Sequence, residues 1–194
     1  MDFSSSQRQS DEHLARLSLT GTWYFAFLID RYEDKLRRYI NRLGRFVPED
    51  VEDILQDIFM KTYQNLNGFD ASLPFSSWIY RIAHNEAVSF FRRSRARPHG
   101  HAVDIPEDII QNIASEVNIL KTLEEKDSRI MIERSINDLD KLSRDIIILN
   151  FFEYKSYDEI SDILMIPPGT VASRLRRAKE KIQKDLYAKG YIHE

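Results

Sequence analysis

Apolar residues recur along this chain at intervals of three and four, the spacing that places them on one face of an α-helix. From Asp11 to Leu43 the positions Leu14, Leu17, Phe25, Leu28, Tyr32, Leu36, Tyr39, Ile40 and Leu43 mostly keep that step, which predicts a long helix or a helix pair. Gly44 to Pro48 predicts a break, because glycine and proline both end helices. A second helix is expected over about 49–66, then a loop marked by Asn67-Gly68 and Pro74. A third should start near Ser76, a candidate N-cap, and run to about Arg95. Residues 98–106 (PHGHAVDIP) hold two prolines, a glycine and two histidines, the strongest linker signal in the chain. The helical period returns from about Arg129, with cap-like breaks at Leu142-Ser143 and Lys155-Ser156 and a hard stop at Pro167-Pro168-Gly169. No segment sustains the alternation of a half-buried strand. The expected fold is all-α: two small helical domains, 10–97 and 127–188, joined by a flexible linker over 98–126.

Composition narrows the function classes. The chain has 194 residues, of which 42% are apolar, enough to build a core in one domain or two small ones. It has no cysteine, which excludes disulfides, thiolate metal sites and cysteine nucleophiles. The longest apolar run, Trp23 to Ile29, falls far short of the roughly 20 residues that span a bilayer. The opening MDFSSSQRQS has no apolar signal-peptide core, so a cytoplasmic location is expected. The net charge of −3 hides a strong pattern. Residues 49–57 hold five acids and no base, and 92–97 hold four arginines and no acid. Residues 104–127 hold seven acids against two lysines, whereas 174–189 hold seven bases against two acids. Two basic blocks separated by an acidic one suggest two polyanion-binding faces and a connector able to shield them.

The C-terminal block has a recognisable local design. Residues 157–164 (YDEISDIL) form a short amphipathic helix with Ile160, Ile163 and Leu164 on its apolar face. Ser156 and Glu159 before and within it match a capping box. After the turn at 165–169, the positions Val171, Leu175, Ala178 and Ile182 make one buried stripe on a second helix. Its other faces carry Thr170, Ser173, Arg174, Arg176, Arg177 and Lys179. A short helix, a tight turn and a basic second helix describe a helix-turn-helix, whose second helix lies in the DNA major groove. The hydroxyls can bond bases or phosphates, and the arginines can clamp phosphates or read guanine.

Here the sequence resembles a known family. Residues 156–181 (SYDEISDILMIPPGTVASRLRRAKEK) look like region 4 of extracytoplasmic-function (ECF) sigma factors, small members of the bacterial sigma-70 family. Their usual pattern is roughly SYEEIAEILGIPVGTVKSRLHRAR. Ala172 departs from it, standing where a lysine or arginine is common and so removing one phosphate contact. The resemblance implies that this helix reads the −35 element of a promoter.

The N-terminal half matches independently. Residues 51–63 (VEDILQDIFMKTY) are similar to the family's region 2 pattern AEDLVQEVFLRLY. Val51, Ile54, Leu55, Ile58, Phe59 and Thr62 form the expected buried face, while Asp53, Gln56, Asp57 and Met60 form an acidic stripe opposite. The resemblance names a partner for that stripe: core RNA polymerase, through the β′ clamp helices and the β subunit. Residues 75–93 resemble FRAWLYRIARNLALDYLRR, with Ile79, Ile82, Ala83 and Val88 as the core stripe and Trp78 and Phe91 at its edges. Arg81, Asn85 and Ser89 share another face that leads into Arg92 and Arg93. Basic grooves supplemented by base-stacking side chains bind single-stranded DNA. By resemblance these residues, with Phe69 in the preceding loop, bind the −10 element; a loop-anchoring core role for Phe69 stands as the alternative. Less typical is the start, where Thr20-Gly21 and an aromatic Trp23-Tyr24-Phe25 replace the common Gly-Asp and Ala-Phe.

No glycine-rich phosphate loop or Ser/His/Asp set stands out, so an enzyme is not expected, nor a cofactor. His99 and His101 could hold a metal only weakly, since a firm site needs three or four ligands. The competing function is a conventional helix-turn-helix regulator that binds DNA without polymerase. It would not need the acidic stripe or the aromatic, basic helix at 75–93. A pure adaptor built on Trp23 to Leu28 leaves the basic helices unexplained. The expected role is therefore that of an alternative sigma factor acting on promoter DNA, with no small-molecule substrate. The resemblance also implies a membrane-anchored anti-sigma factor as partner.

Overall fold

The computed structural model describes residues 9–44, 46–93 and 132–188. The expected linker at 98–126, with the acidic run at 104–127, and Arg95 and Arg97 lie outside the described residues. Among those described, secondary structure is helical throughout, and no helix is long and apolar enough to cross a membrane. The described residues divide into two compact units: 9–41, 46–93 and 162–164 form the first, and 42–44, 132–161 and 165–188 the second.

The N-terminal expectation of a helix pair holds. Helix α1 spans Asp11–Ser18 and α2 spans Phe25–Leu43, with a 3₁₀ turn at Thr22–Tyr24 between them. Ser10 caps α1 by accepting from the His13 amide. Helix α3, Pro48–Gln64, opens with proline at its first turn and two acids beside it, both favourable at a helix N-terminus. A second 3₁₀ turn, Leu66–Gly68, leads to a loop and then to α4, Phe75–Arg93. Leu28, Leu36, Tyr39, Ile40, Ile54, Ile58, Phe75, Ile79 and Ala83 are essentially inaccessible and form the core of this unit. Phe59, Ile82 and Val88, expected in the core, are only half-buried, whereas Tyr80 and Ala87 are buried.

Three tertiary hydrogen bonds from two acids fasten α1. Asp11 accepts from the Arg31 guanidinium and from the Tyr32 hydroxyl, each at 2.5 Å. Burial, with that carboxylate acceptor, holds the Tyr32 hydroxyl firmly protonated. Glu12 accepts from the Phe75 amide at 3.0 Å. That last bond corrects the expected N-cap: Ser76 lies inside α4, and the cap is Glu12 from another helix.

In the second unit α5 covers residues 132–137, and α6 is Lys141–Ile147. Leu142-Ser143 is therefore not a break but the first turn of α6; Asp140 is the N-cap, accepting from the Ser143 amide at 3.1 Å. Helix α6 runs straight into a π-helical turn at Ile148–Phe152. Helix α7, Tyr157–Leu164, starts with the complete Ser156/Glu159 capping box that the sequence predicts. Helix α8, Pro168–Ala188, buries Val171, Leu175, Ala178 and Ile182 as expected, and Leu186 one turn further. The second core also takes Ile132, Ile136, Ile146, Ile147, Ile148 and Leu149.

Candidate nucleic-acid interface

In the first unit, α3 turns its apolar stripe inward and leaves a polar stripe outside. Asp53 and Gln56 are exposed, Asp57 is partly covered, and Met60 is 49% exposed. Lys61, beside them, pairs at 2.6 Å with the buried Glu86 of α4 and so fixes α3 against α4. An open groove of about 440 Å³ is lined by Asp53, Gln56, Asp57, Phe90 and Arg93. Arg93, expected on DNA, thus shares a groove with three residues expected on a protein partner.

The loop between α3 and α4 is held by aromatic contacts. Phe69 is half-buried, its ring 5.4 Å from Phe75 in an edge-on contact and 5.0 Å from Trp78 in a tilted one. Phe75 and Trp78 close the triangle at 5.7 Å. Phe69 therefore anchors the loop, in keeping with the alternative weighed for it. Asp70 tightens the same loop by accepting from the Ser72 amide at 2.9 Å, and its bonds to Ser72 hold its carboxyl below the usual range. Along α4, Asn85, Arg92 and Arg93 are exposed, while Arg81 and Ser89 are half-buried. The Nε of Arg81 is buried with no hydrogen-bond partner among the described residues.

In the second unit the six α8 residues are not equivalent. Thr170, Ser173 and Arg177 follow one another at intervals of three and four, on the side of α8 away from its buried stripe. Arg177 is exposed; Thr170 and Ser173 are half-buried, and Ser173 Oγ donates to the Thr170 carbonyl at 3.1 Å. Arg176 is exposed but paired with Glu180 one turn on. Arg174 points back into its own unit, to Asp140 Oδ1 at 2.9 Å and Ser143 Oγ at 3.3 Å. Lys179 places its ammonium 5.4 Å from the centre of the Phe151 ring. The turn before α8 ends α7 at Met165, whose left-handed φ of 56° points the chain into the second helix.

Sequence reasoning missed several positioning residues. Glu12, Lys61 and Glu86 act on elements distant in sequence, and nothing in local spacing signals such partners. An aspartate three residues before Ser143 was a readable cap signal.

Comparison with known proteins agrees with both halves. The family model for Sigma-70 region 2 matches residues 28–97, and that for Sigma-70 region 4 matches residues 129–182. The ECF RNA polymerase sigma factor SigW of Bacillus subtilis (strain 168) is 31% identical over 169 residues, covering 84% of this chain and 88% of that protein. The ECF RNA polymerase sigma-E factor of Escherichia coli (strain K12) is 32% identical over 166 residues, covering 81% and 84%. Among solved structures, CnrH in complex with the cytosolic domain of CnrY is similar with a TM-score of 0.66 at 24% identity, over 93% of this chain and 99% of that one. The sigma factor RpoE in complex with the anti-sigma factor NepR, from Bartonella quintana, gives a TM-score of 0.58 at 21% identity, over 84% and 96%. The two structural likenesses speak for the fold; the sequence identities over most of the chain, with both region models in order, show that this protein belongs to the ECF family of RNA polymerase sigma factors.

Proposed function

We propose that this sigma factor docks on core RNA polymerase through Asp53, Gln56, Asp57 and Met60, with the β′ clamp helices as the partner surface and the β subunit as a further contact. The observation that carries this reading is the exposed acidic stripe of α3 beside the basic end of α4, in a chain whose other unit is a helix-turn-helix. Carboxylates flanked by an accessible methionine suit a basic partner with apolar stems, charge setting the encounter and desolvated contact holding it. The functional domains are 10–97 for polymerase and −10 binding, 98–126 as linker, and 127–188 for −35 binding.

Arg81, Asn85, Ser89, Arg92 and Arg93 would track the single strand at the −10 element, and the Phe69–Phe75–Trp78 cluster supports the loop that receives an unpaired base. Extracting a base costs a few kcal/mol, and each base stacked on an aromatic ring returns about 1–3 kcal/mol. Of the −35 set, Thr170, Ser173 and Arg177 would lie against the major groove, with Arg176 and Lys179 flanking it. RNA synthesis belongs to the polymerase, so this chain is not itself an enzyme, and it works where polymerase and chromosome are, in the cytoplasm. The likeness to CnrH, solved with the cytosolic domain of CnrY, and to the sigma factor RpoE, solved with the anti-sigma factor NepR, supports an inhibitory partner of that kind here, anchored in the membrane.

The test is transcription from a pool of genomic fragments by purified core polymerase with and without this protein. Specific starts that need both are the expected result and yield the −35 and −10 sequences together. Duplex binding by the protein alone, with no start depending on it, would overturn the reading in favour of a conventional regulator.

A further inference from the structure

Two cations of α8 are turned away from the outer face of that helix. Arg174 reaches Asp140 and Ser143, and Lys181 donates its ammonium to the Asp138 carbonyl. Arg174 and Lys181 are seven residues apart, two turns of helix, so they project from the same side of α8. Both land on the turn at 138–140 that leads into α6. Asp140 makes three bonds there while staying largely exposed: it caps α6 through the Ser143 amide, accepts the Ser143 hydroxyl at 2.6 Å, and takes the Arg174 guanidinium. The Ser143 hydroxyl bond and the nearby cation keep its carboxyl below the usual range.

We propose that Arg174, Lys181 and the 138–140 turn form a clasp that trims the roll of α8 about its own axis, and that Arg174 is a positioning residue rather than a DNA contact. The buried, close-packed stripe of Val171, Leu175, Ala178 and Ile182 holds α8 on its unit and fixes its coarse orientation. Two hydrogen-bonded cations at the edge of that stripe, on partly exposed side chains, adjust the angle within that packing. The roll decides which side chains meet base edges, because residues one turn apart differ in direction by only about 40–60°. With the clasp closed, Thr170, Ser173 and Arg177 face outward together. This inference rests on the −35 role proposed above for α8.

Holoenzyme assembled with full-length variants tests it, on duplex DNA carrying the −35 sequence mapped by the transcription experiment. The variants are Arg177→Ala, Arg174→Ala, Asp140→Asn and the Arg174/Asp140 double. Asparagine is also a good N-cap, so Asp140→Asn removes the guanidinium's ionic partner while leaving α6 capped. A lost phosphate contact lowers the slope of log affinity against log salt by about 0.9. Arg174→Ala should show no such drop, whereas Arg177→Ala should lower affinity and the discrimination at the base it faces. Instead, Arg174→Ala and Asp140→Asn should each lower discrimination against single-base changes in the −35 element by about fivefold, and the double should do no more, as members of one network behave. If Arg174→Ala lowers the slope and Asp140→Asn tightens binding, Arg174 is a phosphate contact that Asp140 restrains, and the clasp is wrong. Unchanged slope and discrimination in both variants would also sink it. Failure of the −35 reading itself looks different: Arg177→Ala would then leave the affinity and the discrimination untouched. Should Arg174→Ala fold poorly, Asp140→Asn decides alone.

Discussion

Met165 carries an L-residue in the left-handed region, at φ 56° and ψ 46°, with its side chain 71% exposed. Little packing is lost by removing that side chain, and glycine adopts this backbone without the steric penalty. Met165→Gly should therefore leave the fold intact and raise the stability of the second unit by about 0.5 kcal/mol, read as a higher melting temperature. Asp145 is a different single-residue case. Burial pushes its carboxyl up to about 6, with Asp140 adding to the rise while Lys141 and Arg144 oppose it. Between about pH 4 and 6 the folded unit holds a proton that the unfolded chain has released, so stability falls as pH rises through that window. Asp140 and Glu159 work in the other direction at lower pH. Ser143 bonds hold the Asp140 carboxyl down, and at Glu159 the Ser156 amide and Lys155 outweigh burial. Their contributions are lost only as pH drops below about 4. Asp145→Asn should flatten the pH 4–6 slope of melting temperature, by an amount on the order of 2 kcal/mol in stability; a slope that persists in the variant would assign it elsewhere.

Helix ends decide much at the next scale. Every helix must satisfy its first amide groups, and this chain does so in two ways. Ser10, Asp140 and Ser156 are local caps legible from sequence. The start of α4 is different, since Pro74 and Phe75 offer no side-chain acceptor and Glu12 supplies one from α1. Ser156→Ala should cost about 1 kcal/mol, through loss of the capping box of α7. A similar loss is expected for Glu12→Ala in the first unit. Because Glu12 caps α4 directly after the 69–74 loop, its removal should also speed amide exchange in that loop. A loop exchanging at the parental rate would show that the aromatic triangle alone holds it. The π-helical turn at Ile148–Phe152 has no counterpart in the pattern of apolar residues, because four of its five positions are apolar and buried and so carry no periodicity.

For the molecule as a whole, function depends on both units acting for one polymerase. Reversing charge on the α3 stripe with Asp53→Lys and Asp57→Lys should weaken holoenzyme formation by at least about tenfold and lower every start together. Arg177→Ala should leave holoenzyme formation unchanged and lower only starts that depend on the −35 element. Native gel assembly and run-off transcription separate the two outcomes. If the charge reversal spared assembly, the acidic stripe would be an ordinary solvated face. The net charge of −3 predicts none of this, since it sums acidic and basic faces that meet different partners.

By itself the sequence determined that the described chain is helical, which stripes are largely buried and where Ser156 caps, while its resemblance to a family implied that regions 2 and 4 follow one another. The first three rest on residues within a turn or two of each other, where spacing and side-chain type suffice. The tertiary structure alone decided which outward-looking residues remain free to act. Arg174 and Arg177 are both arginines on one helix, yet a distant aspartate claims the first and the second stays exposed. Phe69 is drawn into an aromatic triangle, and Arg93 comes to share a groove with Asp53 and Asp57. Such outcomes depend on which helices meet and at what angle, and periodicity along one helix carries no record of its neighbours.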